Sequence, residues 1–325
     1  MKYFFVARIY GFEVNRTLNR GIKIIENLRL STNRERIERI GDSYFQRAIG
    51  DIEYHDLLNG PYVYVEGDYD IEAEVVREKE RLELLNYYMR LTQTLGTALW
   101  GVKDNSVRTE LGFIYVYDER RFDAKATSVS SNARTSYFFN SHGGTASTTF
   151  SYDELLEGVS IHNTFYDETT ANLEHSETVN IVTTKANRIE RFIYFLQSAR
   201  NQAFLPNRIS SYCTALETLF STDSQEISHK ISERIARILG EDFSTREKIY
   251  KFIKNAYTIR SSNVHGDKLP RKFRSLEKQI QVSEELDDCI RKLYNFIIHD
   301  DEISGIYIRD NKDELNHYFD KLILS

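Results

Sequence analysis

At 325 residues, with 41% hydrophobic and 28% charged side chains, the chain has the length for two domains with ordinary buried cores. Three prolines argue against long disordered linkers, and two cysteines, Cys213 and Cys289, supply neither a disulfide framework nor a four-ligand zinc site. A net charge of −6 argues against a general nucleic-acid coat. The opening apolar run is interrupted at Arg8, and no later stretch approaches the roughly 18 apolar residues of a membrane span. The expectation is therefore a cytoplasmic protein without a membrane partner, its cysteines buried in helices in a reducing compartment.

Residues 3–14 alternate like an opening strand, and Ile22–Leu30 and Tyr62–Val65 read similarly, the latter introduced by Gly60-Pro61. Between them, Asn33–Ile49 spaces Ile37, Ile40, Tyr44 and Ala48 at helical intervals. A longer helix follows over Ile71–Leu99 and is predicted to end at Trp100-Gly101. Strand-like segments over Leu111–Tyr117 and Thr135–Phe139 come next, with a loop at Ser141-His142-Gly143-Gly144-Thr145.

From Val179 onward helix follows helix. Ile189, Phe192, Ile193 and Leu196 mark one, after which Pro206 breaks the chain. Ile209, Tyr212, Cys213, Leu216, Leu219 and Phe220 mark a second. Ser224 is a candidate N-cap for a third, striped by Ile227, Ile231, Ile235 and Leu239 and closed by Gly240. Ser244 or Thr245 opens a fourth, with Ile249, Phe252, Ile253, Ala256 and Ile259 along it. Glu284–Ile298 and Lys312–Leu324 complete the set, with Asp300-Asp301-Glu302 between them read as a solvated loop. The predicted class is α+β: a mixed α/β domain over residues 1–178, with sensing or regulation as its candidate role, then an all-α helical bundle over residues 179–325.

Charge is unevenly spread. Between Gln225 and Ile280 there are 13 Lys/Arg against 7 Asp/Glu, a basic window inside an acidic protein. Either it contacts a polyanion or it is a solvated helix face. Within it lies Tyr257-Thr258-Ile259-Arg260-Ser261-Ser262-Asn263-Val264-His265-Gly266, which places Arg260 and His265 at a helix end. Five positions along a regular helix turn the chain by about 140°, so the two would share no face. Gly266 marks a stop, and the expectation is that His265 bends round until its ring approaches the Arg260 guanidinium. Such a pair suits RNA cleavage: imidazole moves a proton near neutrality, and guanidinium holds the charge on phosphate oxygens. The bland alternative is a capping histidine beside a surface arginine. No metal and no cofactor are expected, since no HExxH, CxxC or carboxylate triad is present.

The surroundings carry a resemblance. Ala215-Leu216-Glu217-Thr218-Leu219-Phe220 precedes Ile231-Ser232-Glu233-Arg234-Ile235-Ala236-Arg237-Ile238-Leu239-Gly240, and Arg260-Ser261-Ser262-Asn263-Val264-His265-Gly266 follows. This succession resembles the Apea-like branch of the HEPN superfamily over about residues 185–300. The resemblance implies an all-α HEPN bundle that forms a homodimer, joining two such motifs in one cleft. It also implies a metal-independent endoribonuclease of a bacterial anti-phage defence or toxin system. Arg260 and His265 would be its catalytic pair, with Ser261 and Asn263 positioning RNA. Many active members carry Asn, Asp or His after the arginine, where this chain has Ser261. The implied partners are RNA, with tRNA a candidate, and a phage-derived trigger or an antitoxin.

Glu217 and Arg234 fall on the other two motifs, either as an ion pair between helices or as supports that orient Arg260. His229 reads as ordinary helix surface, and His162 and His175 belong to no constellation. The alternative function is a non-catalytic module of the same family that binds RNA or nucleotide and signals to a partner. A plain helical dimerisation domain attached to a sensor is the blandest of the three.

Overall fold

In the computed structural model, which describes residues 1–25, 27–68, 78–117, 127–133, 137–165 and 184–324, the chain divides into two compact units. The first comprises residues 1–137 and 145–173, the second residues 138–144 and 174–325. The fold is α+β, with an antiparallel sheet in the first unit and helices throughout most of the second.

Strand β1 (Lys2–Arg8) organises the first unit. Its run Tyr3-Phe4-Phe5-Val6-Ala7 is apolar on both faces, which suits a central strand covered above and below. After β2 (Phe12–Val14) come the paired β3 (Ile22–Ile25) and β4 (Leu28–Ser31), then β5 (Tyr62–Asp68), β6 (Leu111–Tyr117), β7 (Ser128–Ala133) and β8 (Thr148–Phe150). The main sheet has the order β3-β4-β5-β1-β6-β7, every pair antiparallel, while β2 and β8 form a separate parallel pair. Because side chains alternate along a strand, Tyr3, Phe5 and Ala7 join one core and Phe4 and Val6 the other. The first core is completed by α4 (Glu78–Val102), through Leu85, Met89, Leu95 and Leu99, and by α5 (Tyr152–Phe165), through Leu155. The second core is completed by α1 (Arg34–Ile40), α2 (Ser43–Ile49) and α3 (Asp51–Leu58), through Ile37, Phe45 and Leu57. Each side chain so buried contributes roughly 1.5–3 kcal/mol.

Several boundaries differ from expectation, each for a local reason. The opening strand breaks at Gly11, whose φ of +67° suits only glycine and whose Cβ, if present, would meet the Ser106 carbonyl oxygen at 2.5 Å. Ile22–Leu30 is a hairpin rather than one strand, and the helical stretch over 33–49 is two helices parted at Gly41. Helices α3 and strand β7 escaped the periodicity altogether. Gly101 does not stop α4, which runs on to Val102 with Trp100 and Gly101 both buried. The predicted start of that helix and residues 135 and 136 of the predicted strand Thr135–Phe139 lie outside the described residues; Tyr137, Phe138 and Phe139 are described and are not in a strand.

The second unit packs around α7 (Leu205–Phe220), which touches α6 (Arg188–Arg200), α8 (Ile227–Leu239), α9 (Phe243–Val264) and α10 (Leu276–Ile298). Helices α11 (Asp301–Arg309) and α12 (Lys312–Leu324) complete it. Ile209, Tyr212, Cys213, Leu216, Leu219 and Phe220 of α7 are fully or almost fully buried, as their spacing predicts. Pro206 stands in the first turn of α7, where its missing N–H costs nothing, so it begins this helix. The N-cap of α8 is Glu226 rather than Ser224, and Asp242 caps α9 through a reciprocal box with Thr245. Ser275 caps α10 eight residues or more before the expected start at Glu284. The Asp300-Asp301-Glu302 run is not a loop: Asp300 receives the Glu302 and Ile303 N–H groups and opens α11.

Segment 138–144, which the sequence reading gave to the first domain, belongs to the second unit. Buried Arg208 donates to the Phe139 carbonyl at 2.6 Å, to the Asn140 carbonyl, and to the Ala199 and Arg200 carbonyls near the end of α6 at 3.2 and 3.1 Å. Ser283 of α10 donates to the Ser141 carbonyl at 2.6 Å. The expected boundary at residue 178 lies outside the described residues.

Candidate functional site

Helix α9 carries the Arg260 stretch and ends in a closed turn. The His265 N–H donates to Ser261 O at 3.1 Å, Gly266 N–H to Asn263 O at 3.3 Å, and Asp267 N–H to Ser262 O at 2.8 Å. This is a Schellman closure, with His265 at the C-cap and Gly266 at φ +74° supplying the left-handed residue it requires. His265 is thereby fixed in backbone and exposed in side chain, next to Val264, which is itself 61% exposed.

Arg260 points instead toward α7. Its Nη2 lies 3.2 Å from Glu217 Oε1, in a pair whose side chains keep 32% and 20% of their exposure. The guanidinium carbon stands 5.9 Å from the centre of the Tyr257 ring. Burial pushes the Glu217 carboxyl above its ordinary range, opposed by the Arg260 charge and a hydrogen bond from Tyr257. Burial likewise raises Tyr257 and Cys213, keeping both protonated at neutral pH. Arg260 Nε is buried without a hydrogen-bond partner, so phosphate oxygens would meet this guanidinium at its Nη edge.

Within one chain no hydrogen bond or ring contact joins the His265 side chain to Arg260, contrary to the expected approach. The helix stays regular through Val264 and His265 keeps a right-handed helical φ of −83°, so the five-residue offset persists and the bend comes only at Gly266. Asn263 joins α9 to α7, its Nδ2 donating to Asn207 Oδ1 and Ser210 Oγ at 3.0 Å each, which leaves its Oδ1 as the atom for a ligand. Ser261 is exposed beside them. Arg234 neither pairs with Glu217 nor supports Arg260. It is buried, donates to the Phe220 carbonyl at the end of α7, and lies 4.0 Å from the Phe319 ring centre. Glu217 alone, of the two, orients Arg260.

Sequence reasoning passed over Tyr257, although it stands one turn before Arg260 on the same stretch. It also passed over Lys251 and Lys254, which with Thr258, Ser261 and His265 recur every three or four residues along α9; all but half-buried Lys254 are exposed. Lys272, in the short 3-10 turn Arg271–Phe273 after α9, returns to donate to Asn255 Oδ1 at 2.7 Å. His229 bonds the Tyr250 hydroxyl at 2.7 Å on the exposed α8–α9 surface. His162 is buried in α5 with Nε2 2.8 Å from Thr94 Oγ1, while His175 lies outside the described residues. Cys213 and Cys289 are free and buried in α7 and α10. Among the described residues, no helix is long and apolar enough to cross a membrane, and no group of three or more His, Cys, Asp or Glu side chains is placed to hold a metal ion.

Comparison with protein-family models, curated proteins and solved structures finds no match to this chain.

Proposed function

We propose that the chain is a metal-independent HEPN-type endoribonuclease that acts as a homodimer. The observation that carries this reading is the end of α9, where a part-buried arginine aimed by Glu217 and a backbone-locked, exposed histidine stand on one stretch. In the reaction, His265 takes the proton from a ribose 2′-hydroxyl, the 2′-oxygen bonds to phosphorus, and the P–O5′ bond breaks. The leaving oxygen takes a proton from the second His265 of the pair, giving a 2′,3′-cyclic phosphate and a 5′-hydroxyl. Arg260 holds the charge that gathers on the non-bridging oxygens. Half-buried Lys254, which donates to Ser228 Oγ, and exposed Lys251, which a phosphate would share with Glu247, extend the contact along α9 for the rest of the strand. The setting is bacterial toxin or anti-phage defence in the cytoplasm, with the first unit as sensor or restraint.

Incubating the purified chain with total RNA and a tRNA pool tests this. Cleavage is expected in EDTA, with a loss of at least about 100-fold in His265→Ala and Arg260→Ala and no change in the thermal midpoint of His265→Ala. Intact RNA after incubation with the wild type, or full cleavage by either variant, removes the enzymatic reading. The lack of contact between Arg260 and His265 within one chain favours a second reading, a module that binds RNA or nucleotide without cutting. That reading expects His265→Ala to weaken binding only modestly.

A further inference from the structure

A second basic site, independent of the RNA reading, is built by strand register in the first unit. Arg29 on β4 sits directly opposite Tyr64 on β5, and Glu66 follows Tyr64 on the same face. Helix α1 lays Arg36 over that face, its guanidinium carbon 4.3 Å from the Tyr64 ring centre and its Nη1 hydrogen-bonded to Glu66. The loop before β3 adds Arg20, whose carbonyl accepts from the Tyr64 hydroxyl at 3.5 Å, and the β3–β4 turn adds Asn27. These six residues line an open cleft of about 420 Å³, within the usual size of small-ligand sites.

Among the described residues the charges in this cleft do not balance. Glu66 is already shared, since Arg39 also reaches its Oε1 at 3.6 Å. Among the described residues Arg20 and Arg29 have no carboxylate partner, and Arg29 has only a long 3.5 Å bond to the Gly21 carbonyl. Two forked, permanently charged groups therefore face one solvent-open cavity beside a third that is stacked and fixed. A monocarboxylate would neutralise only half of that surplus, whereas a phosphate dianion or a pyrophosphate group matches it and offers oxygens to each fork.

We propose that this cleft binds a small phosphate-bearing anion, held by Arg20, Arg29 and Arg36 over Tyr64. Calorimetric titration of the full chain at low salt with inorganic phosphate, pyrophosphate and ADP tests it. At least one of the three is expected to bind saturably with a Kd below about 1 mM. Arg20→Gln and Arg29→Gln should each weaken that binding about tenfold or more, while Arg47→Gln, on exposed α2 surface, should leave it unchanged. Neither cleft arginine has an ion pair to lose, so the thermal midpoints should hold. ADP binding more tightly than pyrophosphate would show that the nucleoside is also contacted, and equal affinities that the phosphates suffice; both support the site. The proposal is overturned if none of the three saturates, or if an Arg20→Gln/Arg29→Gln double variant binds as tightly as wild type.

Discussion

His162 and His265 sit at opposite extremes of solvent exposure. Burial lowers the His162 pKa from 6.5 to about 4, so the folded chain holds a neutral ring against Thr94. Between those values the unfolded chain binds the proton more readily, and stability must fall as pH drops from 6.5 toward 4. The loss should be about 2 kcal/mol between pH 7 and pH 5. Urea midpoints at the two pH values check this, and His162→Gln should remove most of that pH-dependent difference. An unchanged pH dependence in the variant would mean that other groups dominate. His265 owes its exposure to backbone geometry instead. The Gly266 turn was legible because glycine after a helical run has one common use, but the side-chain directions of Arg260 and His265 were not. Those depend on where the left-handed residue falls, and a shift of one position decides whether the guanidinium and the imidazole converge. Glu217 and Arg234 show the same limit, since motif membership says nothing about which neighbour a long side chain reaches.

Helix interiors were readable and helix edges were not. The apolar rhythm of α7 and α10 specifies their buried faces directly, whereas starts depend on which of several polar residues turns its side chain back onto the chain. Asp242, Ser275 and Asp300 each do so, and each stands among other plausible caps. Short α3, with few residues to establish a period, gave no such rhythm. The buried arginines belong to this scale too. Arg188 donates to the Thr218 and Ser221 carbonyls at 2.8 Å each, and Arg234 to that of Phe220, so two guanidiniums finish the exposed end of α7's hydrogen-bond ladder. Arg208 performs the same service for α6 and for segment 138–144 together. Arg208→Ala should therefore cost about 2–4 kcal/mol, because four carbonyls lose a charged donor at once, although those of Asn140, Ala199 and Arg200 keep the Gly143, Gln202 and Phe139 N–H groups. Chemical denaturation measures it; a cost under about 1 kcal/mol would show that water replaces the guanidinium freely.

For the molecule as a whole, the proposed shared site makes a quantitative demand. If catalysis needs His265 from two chains, cleavage per chain should fall as the protein is diluted from roughly micromolar to nanomolar, following dissociation of the pair. A rate per chain that stays constant while the species is shown to be monomeric would confine chemistry to a single chain. The succession of strands and then helices along the chain was visible in the change of sequence pattern. The exchange of residues 138–144 was not, because a short loop between strands carries no mark of the partner it will join. That exchange has a consequence for synthesis. Ser141 finds its hydroxyl donor on Ser283, 142 positions later. A ribosome therefore releases the β-sheet with the Ser141 carbonyl still turned to water, and that oxygen can exchange water for a protein hydroxyl only after α10 has been made.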